Sequence, residues 1–364
     1  GNVIPQAALD PAAKVLAHRA YAAPNTPGAA PTNISNFAAN APVPADADQF
    51  NARGDHIVSS KQRLMLRYSR WRADTPGLDP FRNGTQVVLD IFPDFRKTQQ
   101  AVIEDVYMFS PTMVADFRYS FARFDYKRIP LTQGQDLTAL GFSPNLQNAV
   151  PSEYRHIPNL TVAGMTLVFP GSIIFQAEDT HHIVANLSKV WSRHTAKFGV
   201  DFRVYRLNYL QSNDTSGAFA FDARFSALDP LRASGGAGFA SFMLGYAASG
   251  VANTPAFLAQ QRPYRAIYFQ DDFRLNSRLT LNLGLRYDQE PGWTERYDRQ
   301  SFFVPDAAHP LAQQTGLPLR GKVGLVNSPD RESRALADTF LGQFAPRFGF
   351  AYTATPRTVL RGGY

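Results

Sequence analysis

Tyr268–Asp288 reads YFQDDFRLNSRLTLNLGLRYD. In its second half Leu279, Leu281, Leu283, Leu285 and Tyr287 take one parity. Arg278, Thr280, Asn282, Gly284, Arg286 and Asp288 take the other. Side chains alternate between the two faces of a strand, so this is a strand with one apolar and one polar face. About 9–11 residues is also the length of a tilted strand crossing a bilayer. The first half supplies a partner. Ile267, Phe269 and Phe273 share an apolar face, while Ala266, Tyr268, Gln270, Asp272 and Arg274 share the opposite one. A slip of one residue would send every side chain to the wrong face. Matching Phe273 to Leu279 and Phe269 to Leu283 predicts a tight loop of Leu275, Asn276 and Ser277. It also sets Tyr268 across from Gly284, where a ring can cover a glycine. Asp271 falls on the apolar face, but near the turn, where a charge at a membrane interface costs only about 0–1 kcal/mol. A soluble sandwich strand can alternate in the same way, so the deciding question is whether the pattern repeats.

It repeats. A first hairpin runs over Gln49–Trp71, turning at Ser59-Ser60-Lys61, with Leu64, Leu66 and Tyr68 opposite in parity to Arg63, Met65 and Arg67. A second runs over Gln99–Phe124 and turns at Ser110-Pro111-Thr112. Its return strand places Met113, Ala115, Phe117, Tyr119 and Phe121 on one face. A third spans His181–Arg206, with Ala196, Phe198, Val200, Phe202 and Val204 alternating with Lys197, Gly199, Asp201, Arg203 and Tyr205. Pairing Leu187 with Val200 and Ile183 with Val204 predicts a loop from Ser192 to Thr195, with Trp191 at the turn end of the apolar face, a position for an interfacial aromatic. The opening stretch is the fourth hairpin. A fifth starts at Arg347 and turns through Thr353 to Arg357.

Five tight turns therefore fall near residues 60, 111, 193, 276 and 355, separated by long connections near 74–97, 127–179, 208–262 and 290–344. Short turns at one end and long loops at the other are the signature of an outer-membrane barrel. Structureless loops of this length are uncommon in compact soluble domains. Residues 1–47 form a loop and short-helix segment, with Asp10 capping a helix that has Pro11 in its first turn and reaches about Tyr21. Residues 48–364 form the partial barrel. Ser234–Gly250 holds a short helix at the loop end, or else Gly217–Phe225 is a further strand with an extra hairpin.

Composition agrees. With 44% hydrophobic residues, mean hydropathy −0.26 and no apolar run near 18 residues, the chain is not a helical membrane protein. Its 28 Phe and 15 Tyr suit lipid-facing and interfacial positions. The absence of cysteine excludes disulfide scaffolds, thiolate zinc sites and thiol catalysis. The net charge of +7 is spread rather than gathered in a basic run or helix, so nucleic acid is not an expected partner. Gly1 at the start and a strand pattern cut at Tyr364 suggest a fragment, truncated at both ends.

The wording of several segments resembles the barrel of TonB-dependent outer-membrane transporters. YFQDDFRLNSRLTLNLGLRYD and FAPRFGFAYTATPRTVLRGGY carry the likeness. SKVWSRHTAKFGVDFR, GFASFMLGY, DQFNARGDH and GNVIPQAALDPAAKVL are similar to the Oar-like subgroup. The resemblance implies an all-β fold: about ten strands of a 22-stranded antiparallel transmembrane β-barrel. Short turns would be periplasmic, long loops extracellular, and the isolated chain an open curved sheet. It also implies energised uptake of a solute across the outer membrane. The partners would be outer-membrane lipid, the protein's own plug and, through the plug, the TonB energy-coupling complex. An adhesive or signalling surface protein of the same type is the alternative.

No covalent chemistry is expected. HExxH, GxSxG and P-loop patterns are missing from the sequence, and no catalytic residue, cofactor or metal site is assigned. His181 and His182 are adjacent and so face opposite ways on a strand; His182 is expected to line the lumen near Tyr205. Asp271-Asp272 reads as an interfacial turn feature rather than a calcium site, with Asp272 bonded to Arg274 or Thr280. The lumen-facing candidates are Lys197, Asp201, Arg203, Tyr205, Gln270, Asp272, Asn282, Arg286 and Asp288. Trp191 and Tyr287 are the candidate interfacial aromatics.

Overall fold

The computed structural model describes residues 3–30, 33–40, 42–85, 92–229, 231 and 235–364. Ten long strands form five hairpins. They are Asp46–Ser59 with Gln62–Thr75, Asp94–Ser110 with Met113–Arg128, Ile173–Trp191 with His194–Ser212, Leu258–Arg274 with Leu279–Gln289, and Phe344–Thr355 with Thr358–Gly363. Each wall strand pairs antiparallel with its neighbours along the chain, giving one continuous sheet with Asp46–Ser59 and Thr358–Gly363 at its two ends. The sheet is not closed. A short eleventh strand, Thr294–Glu295, pairs with Gln260 and Gln261 and extends the sheet at the loop end.

All five turns fall where the alternation places them, but two registers differ from expectation. In the fourth hairpin Phe273 pairs with Leu281 and Phe269 with Leu285, leaving Leu275–Arg278 as the loop. Asn276 explains the wider turn: its side-chain oxygen accepts the amides of Arg278 and Leu279, both at 2.9 Å. In the third hairpin Leu187 pairs with Phe198 and Trp191 with His194, so the turn is only Ser192-Arg193. Ser192 makes it possible by adopting a positive φ of 49°. Both differences are shifts of two residues, which leave every side chain on its expected face.

The shift changes one neighbour. Tyr268 lies across from Arg286 and, on its other side, from Gly199; Gly284 instead faces Gln270. A Cβ on Gly199 would sit 2.3 Å from the Tyr268 ring, so the ring does cover a glycine, on the neighbouring hairpin.

On the apolar face, Leu187, Phe198, Phe269 and Leu285 form one cross-strand row, and Phe117, Ala185, Val200, Ile267 and Tyr287 another. Phe117, Phe198, Phe269 and Leu285 are exposed. Among the described residues no further layer covers these side chains. The buried apolar core lies instead in a layer built from the loops. Helix Pro11–Arg19, capped by Asp10 through a 2.8 Å bond from the Ala13 amide, inserts Ala12, Ala13 and Leu16 against Leu137, Leu140, Ile157, Leu160, Phe221 and Phe242. Beneath it lies a small sheet of Asn159–Val162, Ala218–Phe221 and Ser249–Val251, the first pair parallel. Residues 218–221 are thus a strand, but of this loop-layer sheet rather than of an extra wall hairpin. The segment from Ser234 to Gly250 contains helix Gly238–Met243; Ser234 itself lies outside the described residues.

Candidate functional site on the polar face of the wall

Strand alternation puts Asp201 and Arg203 on the polar face of the third hairpin, Tyr264 and Tyr268 on that of the fourth, and Arg286 and Asp288 on its return strand. Their side chains meet. Asp201 accepts from Arg203 Nη2 at 2.8 Å and Nε at 3.0 Å, and from His182 Nε2 at 2.9 Å. Arg286 approaches the same carboxylate at 3.7 Å and pairs with Asp288 at 3.0 Å. The Tyr264 hydroxyl donates to Asp288 and accepts from Arg286 Nη2 at 2.7 Å. Arg203 lies over the Tyr264 ring, 5.0 Å from its centre, and Arg286 over Tyr268 at 5.9 Å. Each guanidinium is thus held by a carboxylate on its edge and a ring on its face. The network continues from Tyr268 to Asn186 at 2.6 Å and from Asn186 to Asp116 at 2.9 Å, crossing three hairpins.

Near the loop end, Arg262 lies over Trp293 at 4.8 Å and Tyr205 at 5.8 Å, and pairs with Glu290 at 2.9 Å. Near the turn end, Asp272 accepts from Asn282 at 2.6 Å, in place of the expected Arg274 or Thr280, because the shifted register sets those two residues opposite. Lys197 and Gln270 face each other across the third and fourth hairpins and lie outside the Asp201 network. The ion pairs of the network are partly buried, so desolvation offsets much of their attraction; their effect is to fix a pattern of charge on the polar face.

His182 pairs with Asp201 while His181, on the opposite face, bonds Tyr119 at 2.9 Å, so the two rings point apart. Asp271 and Asp272 likewise lie on opposite faces. Asp271 meets His194 at 2.6 Å, and that ring stacks on Phe273 at 4.3 Å and on Trp191 at 5.4 Å. Trp191 thereby sits at the turn end of the apolar face. Tyr287 lies toward the loop end of its strand, against Phe344 at 4.7 Å. Tyr264, Asn186, Asp116 and Arg262 are part of the network but were not singled out in the sequence. Parity places all four on the polar face, but nothing local marks them as partners. Trp293 lies in a connection, where there is no parity to read.

The chemistry of this face is that of hydrogen bonding and charge. Among the described residues no three His, Asp or Glu side chains converge as a metal site. Among the described residues no helix is long and apolar enough to cross a membrane.

The family model described as "Outer membrane beta barrel domain" matches residues 1–364. No curated protein matches the chain. Among solved structures, the chain is similar to Pseudomonas aeruginosa FpvA bound to heterologous pyoverdines, at 10% identity over 88% of this chain and 35% of that one, TM-score 0.43. It is similar to the ferric yersiniabactin uptake receptor FyuA from Yersinia pestis, at 10% identity over 86% and 36%, TM-score 0.42. It is also similar to the copper transporter OprC, at 10% identity over 88% and 35%, TM-score 0.43. The chain thus spans 35–36% of the length of these structures. An antiparallel meander with one face turned to hydrocarbon and the other ion-paired and wet is an outer-membrane wall, and this chain belongs to the outer-membrane β-barrel domain family.

Proposed function

We propose that the chain is part of the barrel wall of a TonB-dependent receptor of the Oar-like type, which imports a solute across the outer membrane by energised uptake. The observation that carries this reading is the asymmetry of the wall: turns of two to four residues at one end, a folded loop layer at the other, and a polar face studded with arginine–carboxylate–tyrosine contacts between them. The turns are periplasmic and the loop layer external. The segment before residue 46 contributes its helix to that layer, and residues 46–364 carry the wall strands together with the connections that complete the layer. A plug occupies the lumen, and movement of that plug by the inner-membrane coupling complex opens a path past Asp201, Arg203, Arg262 and Arg286. Binding and passage need no covalent step, so no enzymatic activity is assigned.

Fractionating cells that express the full-length protein tests the location. Recovery only in the soluble fraction would end the proposal. Deleting the energy-coupling segment tests the activity, because uptake should stop while surface display persists. A surface adhesion or signalling role is the second reading, favoured by a loop layer with its own apolar core rather than loose loops. Adhesion that survives the same deletion, without measurable uptake in the parent, would select it.

A further inference from the structure

We infer that the turn-end half of the polar face carries, over Gly284, a binding site for a small dicarboxylate in the lumen. The site presupposes the receptor reading and adds to it the chemical class of a solute that the wall holds. Lys197, Gln270, Gly284 and Arg347 form one cross-strand row on this face, from the third hairpin to the fifth. The row lies on the turn side of the Asp201–Arg286 network. In front of Gly284 is a recess of about 350 Å³, lined by Lys197, Tyr268, Gln270, Gly284, Arg286 and Arg347.

Nothing in the wall requires a glycine at 284. Its φ is not positive, and a Cβ there would meet Arg347 Cβ and the Phe269 carbonyl oxygen at 3.5 Å, an ordinary contact. Gly199 on the same face is the contrast, since the Tyr268 ring fills the space before it. The space before Gly284 stays open, and the donors around it are unengaged. Lys197, Gln270 and Arg347 have no side-chain hydrogen bond or ion pair among the described residues. The nearby acids do have partners. Asp116 accepts from Asn186 and Asp272 from Asn282, while Asp201 and Asp288 hold Arg203 and Arg286.

Nearer the turns, Arg274, Thr280, Ala351 and Arg361 form a further row of the same face. Neither of these arginines has a carboxylate partner among the described residues. From Gly284 to the turns, the polar face of these hairpins thus sets Lys197, Arg274, Arg347 and Arg361 against Asp272. Charge of one sign along a concave wall raises the local concentration of the opposite ion.

The row also sets the shape of that ion. Neighbouring strands lie about 4.8 Å apart, so Lys197 and Arg347, three strands apart, are rooted about 14 Å from each other. Two cations that reach one recess from opposite sides suit a ligand charged at both ends. The ammonium takes one carboxylate and the planar guanidinium fork the other, with the Gln270 amide between them. A single small anion leaves one of the two cations unpaired, and a neutral solute leaves both.

The test uses the full-length protein, purified from outer membranes in nonionic detergent, and isothermal titration calorimetry with three probes: glutarate, its neutral counterpart glutaramide, and inorganic phosphate. Glutarate should bind and glutaramide should not. Phosphate, which engages one cation, should bind at least about tenfold more weakly than glutarate. Lys197→Gln with Arg347→Gln should weaken glutarate at least about tenfold, the effect of losing hydrogen bonds to charged groups. The thermal midpoint of that variant should not move, because neither side chain has a bonded partner to lose. Gly284→Leu keeps both charges but fills the recess, and should weaken glutarate as much. Arg224→Gln, on an exposed loop residue, should bind as the parent does. No binding of glutarate, equal binding of glutaramide or phosphate, or an unchanged affinity in the double variant would overturn the proposal. Loss in the double variant but not in Gly284→Leu would overturn the recess as the place of binding. A protein absent from the outer membrane ends the receptor reading and this site together, whereas a protein present there without a glutarate response ends this site alone.

Discussion

At the scale of single residues, the tightest constraint is the contact of Tyr268 with Gly199. A Cβ at position 199 would lie 2.3–2.4 Å from the ring and 2.5 Å from Asn186 Oδ1, the atom to which the Tyr268 hydroxyl donates. Gly199→Ala should therefore destabilise the folded barrel by about 1–3 kcal/mol, as overpacking does. In a Tyr268→Ala background most of that cost should vanish; urea unfolding in lipid vesicles measures both, and simple additivity of the two changes would contradict the contact. A second residue, His156, is fully buried in the loop layer. Its Nδ1 faces the Ile157 carbonyl at 2.7 Å and its Nε2 the Thr215 hydroxyl at 3.0 Å. Burial pushes its pKa below the ordinary histidine value, against the opposing pull of the Ile157 carbonyl and of nearby Asp214. The unfolded chain then binds a proton that the folded layer resists. Its contribution is fully present above about pH 6.5 and is lost as pH falls from there through the lowered folded value. Hydrogen exchange of loop-layer amides should accelerate across that window, and His156→Gln should flatten the dependence.

At the scale of elements, the two-residue turn at Ser192-Arg193 holds a non-glycine residue at φ 49°. Ser192→Gly should raise stability by about 0.5–1 kcal/mol, read as a higher urea midpoint with an unchanged m value. The same turn shows how far alternation can be read. Five hairpins and their turn sites follow from parity and turn residues, because side chains on a strand repeat every two positions. For that reason parity fixes a register only to within two residues. Leu187 opposite Val200 and Leu187 opposite Phe198 bury and expose the same faces, and only the backbone geometry of Ser192 decides between them. Asn276 decides the fourth hairpin in the same way. The polar face was legible as a set of positions, whereas the Asp201–Arg203–Tyr264–Arg286 contacts depend on that register. Of the loop layer, the Asp10-capped helix and a short helix within 234–250 were legible; the rest was not, since Leu137 and Ile157 come from connections with no period of their own.

At the scale of the molecule, the sheet ends in two strands with an unpaired edge, Asp46–Ser59 and Thr358–Gly363. Hydrocarbon cannot satisfy such edges. The 364-residue chain alone should therefore self-associate on refolding into detergent, and light scattering that reports a monodisperse, cooperatively melting monomer would contradict an open wall. The loop layer adds a constraint of another kind. The Asp10 amide donates to the Met243 carbonyl at 2.9 Å, Gly245 lies against the Asp10 carboxylate, and Leu16 is buried in one cluster with Phe242. A helix that precedes the first hairpin is thus completed by residues lying between the third and the fourth. Contacts of such long sequence separation are slow to form, because the intervening chain must be ordered first. Docking of the helix is therefore expected late in the folding time course. Leu16→Ala is then expected to speed unfolding while leaving the rate of wall assembly unchanged, the kinetic mark of a contact absent from the transition state.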